Sequence, residues 1–192
     1  GEVGGLVPDP EWKEENIGEP WTLGDTYNFG IGQGYLTMTP LQLVRVISAI
    51  ANGGDLLVPH VVREIVDEEG NIIQQVEREV ADHVDISDKN LSIMREALRQ
   101  AAVYGPARAG ASSTVTIAAK TGTAEFGEQL PDGTYETSHA WYTAYAPFDD
   151  PEIAVVVFLE KGIGATHAGP VARDIFDYYF ERQRLADQGA GP

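Results

Sequence analysis

The sequence predicts an α+β fold in which an antiparallel sheet is flanked by helices. Three apolar runs of strand type follow one another at hairpin distance in residues 115–123, 140–146 and 153–160. Apolar residues recur at helical spacing in residues 40–51, in residues 88–103 and after Pro170. Because the strands carry apolar residues at both alternating sets of positions, we expect helices to cover both faces of the sheet.

Composition excludes several classes of protein. The chain has 192 residues, of which 43% are hydrophobic, and this is enough for one substantial core. It contains no long uncharged apolar run, so no transmembrane helix is predicted within it. The net charge of −17 argues against nucleic acid as a partner, because binding to phosphates needs clustered Lys and Arg. The absence of cysteine excludes disulfides and thiolate sites, and the four scattered histidines match no metal-binding spacing, so we predict no metal and no cofactor.

We predict four regions along the chain. Residues 1–38 are rich in Gly, Pro and acidic side chains, which indicates an irregular segment lying over a core, above all in residues 1–26. Residues 39–110 form a mostly helical part with one β-hairpin, and residues 111–185 contain the sheet strands and a C-terminal helix. Residues 186–192 are predicted to be a frayed tail.

The first long helix has start and stop signals. Thr39 is a capping hydroxyl, Pro40 suits the first helical position, and Gln42 is placed for a capping box. Gly53 favours the C-terminal stop. The apolar residues between these signals cover most of the helix circumference, which predicts burial on several sides.

A hairpin and a second helix follow. Strand-type runs at residues 56–66 and 72–80 flank a turn at 67–71, and this hairpin is predicted to be peripheral. Residues 88–103 form the second helix, capped by Ser87 or Asp88. Its charged side chains are interpreted as the solvated face: Arg95, Glu96 and Arg99.

The candidate site lies in the first strand of the sheet. Its apolar run leads into Lys120-Thr121-Gly122-Thr123, so the ammonium group is predicted to lie at the end of a largely buried ribbon. Gly122 removes a side chain where a substrate backbone could lie against the strand. The hydroxyls of Thr121 and Thr123 can bind a carboxylate beside the charge of Lys120. The same four residues could also end an ordinary strand, so they need support from their context.

A loop is predicted between this strand and the next. Residues 126–138 contain Gly127, Pro131, Asp132 and Gly133, and they are long enough to move over a cleft. His139 then opens the next strand. We interpret it as a structural strand-end residue and leave it out of the candidate site.

Lys120-Thr121-Gly122-Thr123 and the strands that follow resemble the transpeptidase domain of penicillin-binding proteins, in which K-T-G is a signature. Residues 31–43, which begin Ile-Gly-Gln-Gly-Tyr, resemble the class B, elongation type of that family, similar to penicillin-binding protein 2. The resemblance runs over about residues 1–180 but covers only the C-terminal part of the family's transpeptidase domain. It implies the serine β-lactamase/transpeptidase fold, here incomplete.

The resemblance also implies a chemistry. Members of the family cross-link peptidoglycan stem peptides through a serine acyl-enzyme, and β-lactams mimic the D-alanyl-D-alanine substrate. By carry-over, Lys120 holds the substrate carboxylate, Thr121, Gly122 and Thr123 bind substrate, and the N–H of Thr123 forms half of the oxyanion hole. The implied partners are stem peptides and β-lactams. The implied location is the extracytoplasmic face of the bacterial cytoplasmic membrane, with an N-terminal anchor that is not in this sequence.

Two of the family's motifs are missing. No serine lies three residues before a lysine, and no serine is followed two places on by asparagine. We therefore expect a fragment that lacks the nucleophile, is inactive alone and has the N-terminal half of its own domain as a partner. A β-lactam sensor or hydrolase of the same fold, or a non-catalytic interaction module, remain alternatives.

Overall fold

The computed structural model describes residues 3–189. Its helices are α1 (Pro10–Ile17), α2 (Leu23–Gly30), α3 (Pro40–Asn52), α4 (Asp88–Val103) and α5 (Gly169–Asp187). Its strands are β1 (Asp55–Leu57), β2 (Glu64–Val66), β3 (Ile72–Gln75), β4 (Val80–His83), β5 (Ala118–Gln129), β6 (Tyr135–Ala146) and β7 (Ile153–Leu159). A 3₁₀ turn at Pro106–Gly110 follows α4, and a π-helical turn at Gly164–Ala168 precedes α5.

The predicted antiparallel sheet is confirmed. Its order is β5-β6-β7, so β5 lies at one edge, and Lys120 pairs with Thr143, which in turn pairs with Val156. Because residues paired across antiparallel strands share a face, these three side chains lie on the same side of the sheet.

Helices cover both faces of the sheet, as expected. On one face, Phe176 of α5 packs into a buried cluster with Ala119 and Tyr142. On the other face, Ile47 of α3 packs with Ala118 and Tyr145. The sheet is therefore the middle layer of the domain, and its α3 face carries Lys120.

Helix α3 confirms the predicted caps. Thr39 accepts from the N–H of Gln42, and the Gln42 side chain accepts from the N–H of Thr39, which completes the capping box. Gly53 ends the helix in the left-handed region at φ 96°. Burial on several sides is only partly correct, because Leu41 and Val46 remain 40% and 43% exposed.

The prediction of an irregular segment over residues 1–38 is wrong for α1 and α2. Asp9 caps α1 by accepting from the N–H of Trp12, and Thr22 and Asp25 form a capping box on α2. Neither helix has a strong apolar stripe, because each is short and rich in polar residues. Local side-chain caps stabilise them instead, and apolar periodicity does not reveal caps.

The peripheral hairpin is confirmed in outline. Strand β2 pairs with β3 at its tip and β1 pairs with β4 at its base, while residues 58–63 are not in a strand. The predicted strands were therefore too long. Every residue of β3 and β4 is exposed.

The predicted loop over residues 126–138 is mostly strand. Strands β5 and β6 continue to a short turn at residues 130–134, and the pairing shifts register between Phe126 and Gln129. Gly127 lies in this irregularity at φ 91°. The turn-forming residues thus mark a bulge and a hairpin tip, both of which a long hairpin can contain.

The solvated face predicted for α4 is also partly wrong. Arg95 is half-buried and donates to the carbonyl of Phe148 at 3.0 Å, and the guanidinium of Arg99 lies 5.4 Å from the centre of the Phe148 ring. Glu96 is exposed as expected. Helix α5 extends to Asp187, so the tail begins two residues later than predicted. The last residues, 190–192, lie outside the described part of the chain.

Candidate active site

Lys120 is exposed on the edge strand β5. Its Nζ donates to the carbonyl oxygen of Thr121 at 2.7 Å. The lysine follows two fully buried alanines, Ala118 and Ala119, so the buried ribbon predicted before it is confirmed. Lys120 is not at the end of the strand, however, because β5 continues for nine more residues, to Gln129.

A groove of about 590 Å³ lies between the α3 face of the sheet and the segment that precedes α3. The sheet supplies Lys120, Thr121, Gly122, Thr123, Ala124, His139, Trp141, Thr143 and Phe158. The opposite wall consists of Ile31, Gly32, Gln33, Leu36, Thr37, Met38 and Leu43. The structure thus brings both of the sequence motifs, residues 31–43 and 120–123, to one groove.

Packing against Trp141, as well as the function predicted from the sequence, explains why residue 122 is glycine. A Cβ added at this position would lie 3.1 Å from the Cβ of Trp141, its cross-strand partner. Glycine therefore lets Trp141 lie close against β5 and form part of the groove floor.

At Thr121 and Thr123, the main-chain N–H and C=O groups of β5 point away from β6, towards the open edge of the sheet. Main-chain groups in a strand point alternately to its two sides, and the carbonyl of Thr121 receives Lys120 Nζ at the open edge. By the same alternation, the N–H of Thr123 points to that open edge. The Thr123 hydroxyl accepts from the N–H of Gly164 at 3.2 Å, so this side chain is held by the turn before α5.

Tyr142 fixes the central strand behind the site. It is fully buried, pairs with Thr121, and its hydroxyl donates to the carbonyl of Ala107 at 2.6 Å. Burial raises the pKa of the Tyr142 phenol well above its ordinary value, so the group stays neutral. This bond joins the sheet to the turn after α4.

His139 lines the groove, whereas the sequence predicted only a structural role for it at a strand end. It lies inside β6 and not at its end, because β6 begins at Tyr135. Its ring stacks on Phe126 with centroids 3.9 Å apart, and Nδ1 lies 2.6 Å from the carbonyl oxygen of Glu160. Nδ1 must therefore donate to that carbonyl. The pairing of Ala124 with His139 could have revealed this position, but it depends on the hairpin register.

Within residues 3–189, no group of three or more His, Cys, Asp or Glu side chains is arranged to hold a metal ion. Among the helices of these same residues, none has the length and hydrophobicity needed to cross a membrane.

Comparison with known proteins defines the class. The family model of the penicillin binding protein transpeptidase domain matches residues 1–177, so the chain belongs to this family. This confirms the resemblance drawn from the two motifs and the α+β fold.

Individual relatives place the chain more narrowly. It is 35% identical to the peptidoglycan D,D-transpeptidase MrdA of Haemophilus influenzae, over 96% of this chain and 30% of that protein. It is similar to the crystal structure of Pseudomonas aeruginosa PBP2 in complex with WCK 5153, with TM-score 0.74 and 32% identity over 93% of this chain and 39% of that one. It is also similar to an acyl-enzyme complex of penicillin-binding protein A from Mycobacterium tuberculosis with ceftriaxone, with TM-score 0.68 and 31% identity over 78% of this chain and 34% of that one. The chain thus spans about 30% of the curated relative's length.

Proposed function

We propose that this chain is the C-terminal part of the catalytic domain of a peptidoglycan D,D-transpeptidase, and that β5 forms the substrate-binding edge of its active site. The main observation that supports this proposal is the charge of the groove. In a chain of net charge −17, the residues that line the groove include no Asp or Glu, and Lys120 is their one permanent cation. Such a groove favours an anionic, partly apolar ligand, and a peptide that ends in a D-alanine carboxylate is one.

The residues of β5 suit the ground-state binding of such a peptide. The ammonium of Lys120 attracts the terminal carboxylate, and Thr121, the next residue in the strand, lines the same groove. An extended peptide can run along the open edge of β5, because that edge has no partner strand among residues 3–189.

The same edge suits the transition state of acyl transfer. A serine outside this sequence attacks the carbonyl of the penultimate D-alanine, and the N–H of Thr123 donates to the oxyanion that forms. The peptide C–N bond breaks, the terminal D-alanine leaves as an amine after gaining a proton, and the acyl group stays on the serine. The amine of a second stem peptide then attacks the ester, which releases the serine and completes the cross-link. Because its substrate lies in the cell wall, we place the complete protein at the extracytoplasmic face of the membrane.

Labelled penicillin tests this proposal. In the complete transpeptidase, Lys120→Ala should lower the second-order rate constant of acylation by at least roughly 100-fold, because the carboxylate of penicillin loses its cationic partner. The melting temperature should hardly change, because the Lys120 side chain is exposed. Lys161→Ala is the matched control, since it removes another exposed lysine outside the groove. Equal acylation of the two variants would overturn the role of Lys120.

The isolated chain gives a second test. It should form no covalent adduct with penicillin in mass spectrometry, because it contains no serine three residues before a lysine. An adduct on residues 1–192 would contradict the proposal. The fate of the acyl-enzyme in the complete protein separates the alternatives: rapid release by water indicates a hydrolase, and a long-lived adduct that never transfers to an amine indicates a sensor.

A further inference from the structure

Lys13 is buried in a segment that is otherwise largely exposed. Its side chain is 4% exposed, and Nζ lies 2.8 Å from Oδ2 of Asp25 and 3.7 Å from Oε2 of Glu19. The partner side chain of Asp25 is 14% exposed. This pair therefore joins α1 to the first turn of α2.

Asp25 both pairs with Lys13 and completes the capping box of α2. Its Oδ2 accepts from Lys13, from the N–H of Thr22 at 2.7 Å and from the hydroxyl of Thr22 at 2.6 Å. The hydrogen bonds that Lys13 and Thr22 donate lower the pKa of Asp25 to about 2, and the bond that Lys13 donates to Asp25 raises the pKa of Lys13. Both groups are thus charged at neutral pH. A variant that removes Lys13 leaves the cap on α2 in place.

The same lysine contacts the wall of the groove through Tyr35. Nζ of Lys13 lies 5.9 Å from the centre of the Tyr35 ring, and the ring of Trp12 packs against it with centroids 5.3 Å apart. Tyr35 is adjacent to Leu36, which lines the groove opposite Lys120. Trp12 and Lys13 on α1 therefore hold the side chain that lies behind this part of the wall.

The wall needs such support, because glycine leaves its backbone free. Gly32 and Gly34 adopt φ values of 77° and 74°, in the region where glycine has no steric cost. The main chain is tied at the two ends of the wall, where Gln33 N–H donates to Asn28 and Thr37 pairs with Leu6. Between these ties the contacts of the Tyr35 ring fix the conformation.

We propose that Lys13 is a positioning residue for the transpeptidase site: its ion pair with Asp25 holds Tyr35, and through Tyr35 the groove wall that faces Lys120. A buried ion pair adds little net stability, because desolvation offsets most of its attraction. The ion pair acts here by fixing the position of the glycine-rich wall. The activity readout rests on the function proposed above, so we include a second readout that does not.

The first experiment uses the complete transpeptidase and measures benzylpenicillin binding and acylation separately. Lys13→Met should raise the Kd of the pre-acylation complex at least roughly fivefold, and the acylation rate of bound ligand should stay within about twofold, because the wall contacts ligand and not the reacting atoms. Lys13→Arg keeps the charge and should restore binding. Arg63→Met is the matched control. It removes an exposed cation that is paired with Glu64 at 2.6 Å and does not line the groove.

The fraction of protein that can be acylated separates positioning from folding. A merely structural role would lower this fraction in Lys13→Met and leave the Kd of the remaining protein unchanged, and that result would overturn the inference. If Lys13→Met does not fold, the double variant Lys13→Met with Asp25→Asn avoids the unpaired charge and keeps a capping oxygen. Its Kd should be raised equally, and a wild-type Kd would overturn the inference.

The second experiment needs no activity and uses the chain of 192 residues. Amide hydrogen exchange should be at least roughly tenfold faster at Gln33 and Thr37 in Lys13→Met, because their hydrogen bonds flank the segment that Tyr35 holds and open more often once Tyr35 is released. Amides within α3 should keep their wild-type rates. Unchanged exchange at Gln33 and Thr37 would overturn the inference. If exchange changes as expected but the complete protein is never acylated by penicillin, the proposed function fails and the positioning role of Lys13 stands.

Discussion

Gly164 lies directly against the backbone of two strands. A Cβ added there would be 2.3 Å from the carbonyl oxygen of Gly122 and 2.6 Å from that of Trp141. Neither backbone atom can rotate away as a side chain could. The turn before α5 can therefore approach the candidate site only if this residue has no side chain.

Gly164→Ala should consequently destabilise the chain by about 1–3 kcal/mol, the usual range for overpacking, and it should displace β5 near Gly122. The free energy of unfolding in urea measures the cost. Gly30→Ala is the control, because nothing lies within 4 Å of the added Cβ, and alanine should stabilise the helix slightly. Equal stability of the two variants would contradict the close approach.

The pKa of Asp25 predicts a pH dependence. In the folded chain this pKa is about 2, below the ordinary value of 3.8, so the folded state favours the charged carboxylate. Its contribution to stability is present above pH 3.8 and is lost as the pH falls through about 2. The difference in unfolding free energy between wild type and Asp25→Asn should therefore shrink over this window. A difference that is constant with pH would show that Lys13 and Thr22 do not stabilise the charge.

At the scale of elements, helices with several agreeing signals were predictable. Helix α3 has a cap, a proline, a capping box and a terminal glycine, and all of them agree with its apolar pattern. Helices α1 and α2 were missed because neither has a strong apolar stripe, and a side-chain pair 12 residues apart, Lys13 with Asp25, joins them. Such a pair has no periodicity from which to recognise it.

The cap of α3 gives a prediction for this element. Thr39→Ala should lower the free energy of unfolding by about 1 kcal/mol, because the N–H of Gln42 loses the hydroxyl that accepts its hydrogen bond. Thr39→Ser keeps the hydroxyl and should stay close to wild type. Thermal or urea unfolding distinguishes the two. If serine and alanine behave alike, the hydroxyl is not what stabilises the start of α3.

At the scale of the whole molecule, the site residues on β5 were predictable and the groove was not. Lys120 and its neighbours form a contiguous motif, so the sequence alone identified them. His139 and Trp141 join the site through the β5–β6 register, and turn residues inside the long hairpin concealed that register. The opposite wall belongs to a segment more than 75 residues earlier in the chain, and only the packing of α3 on the sheet brings it near.

The groove also predicts how this chain behaves alone. Its lining includes large apolar side chains that remain substantially exposed, among them Ile31, Met38 and Phe158. A contiguous apolar surface of this kind favours association, and the remainder of the transpeptidase domain is the partner that the family implies. We therefore expect the isolated chain to bind a hydrophobic dye or to self-associate.

Mixing experiments test which partner covers this surface. Addition of the domain half that bears the nucleophile should suppress dye binding and restore acylation by penicillin, because the serine then meets the edge of β5. Phe158→Gln should weaken dye binding, whereas Val61→Gln should leave it nearly unchanged, because Val61 is exposed but does not line the groove. A monodisperse monomer in light scattering that binds no dye and does not recapture the other half would show that these 192 residues close their own core.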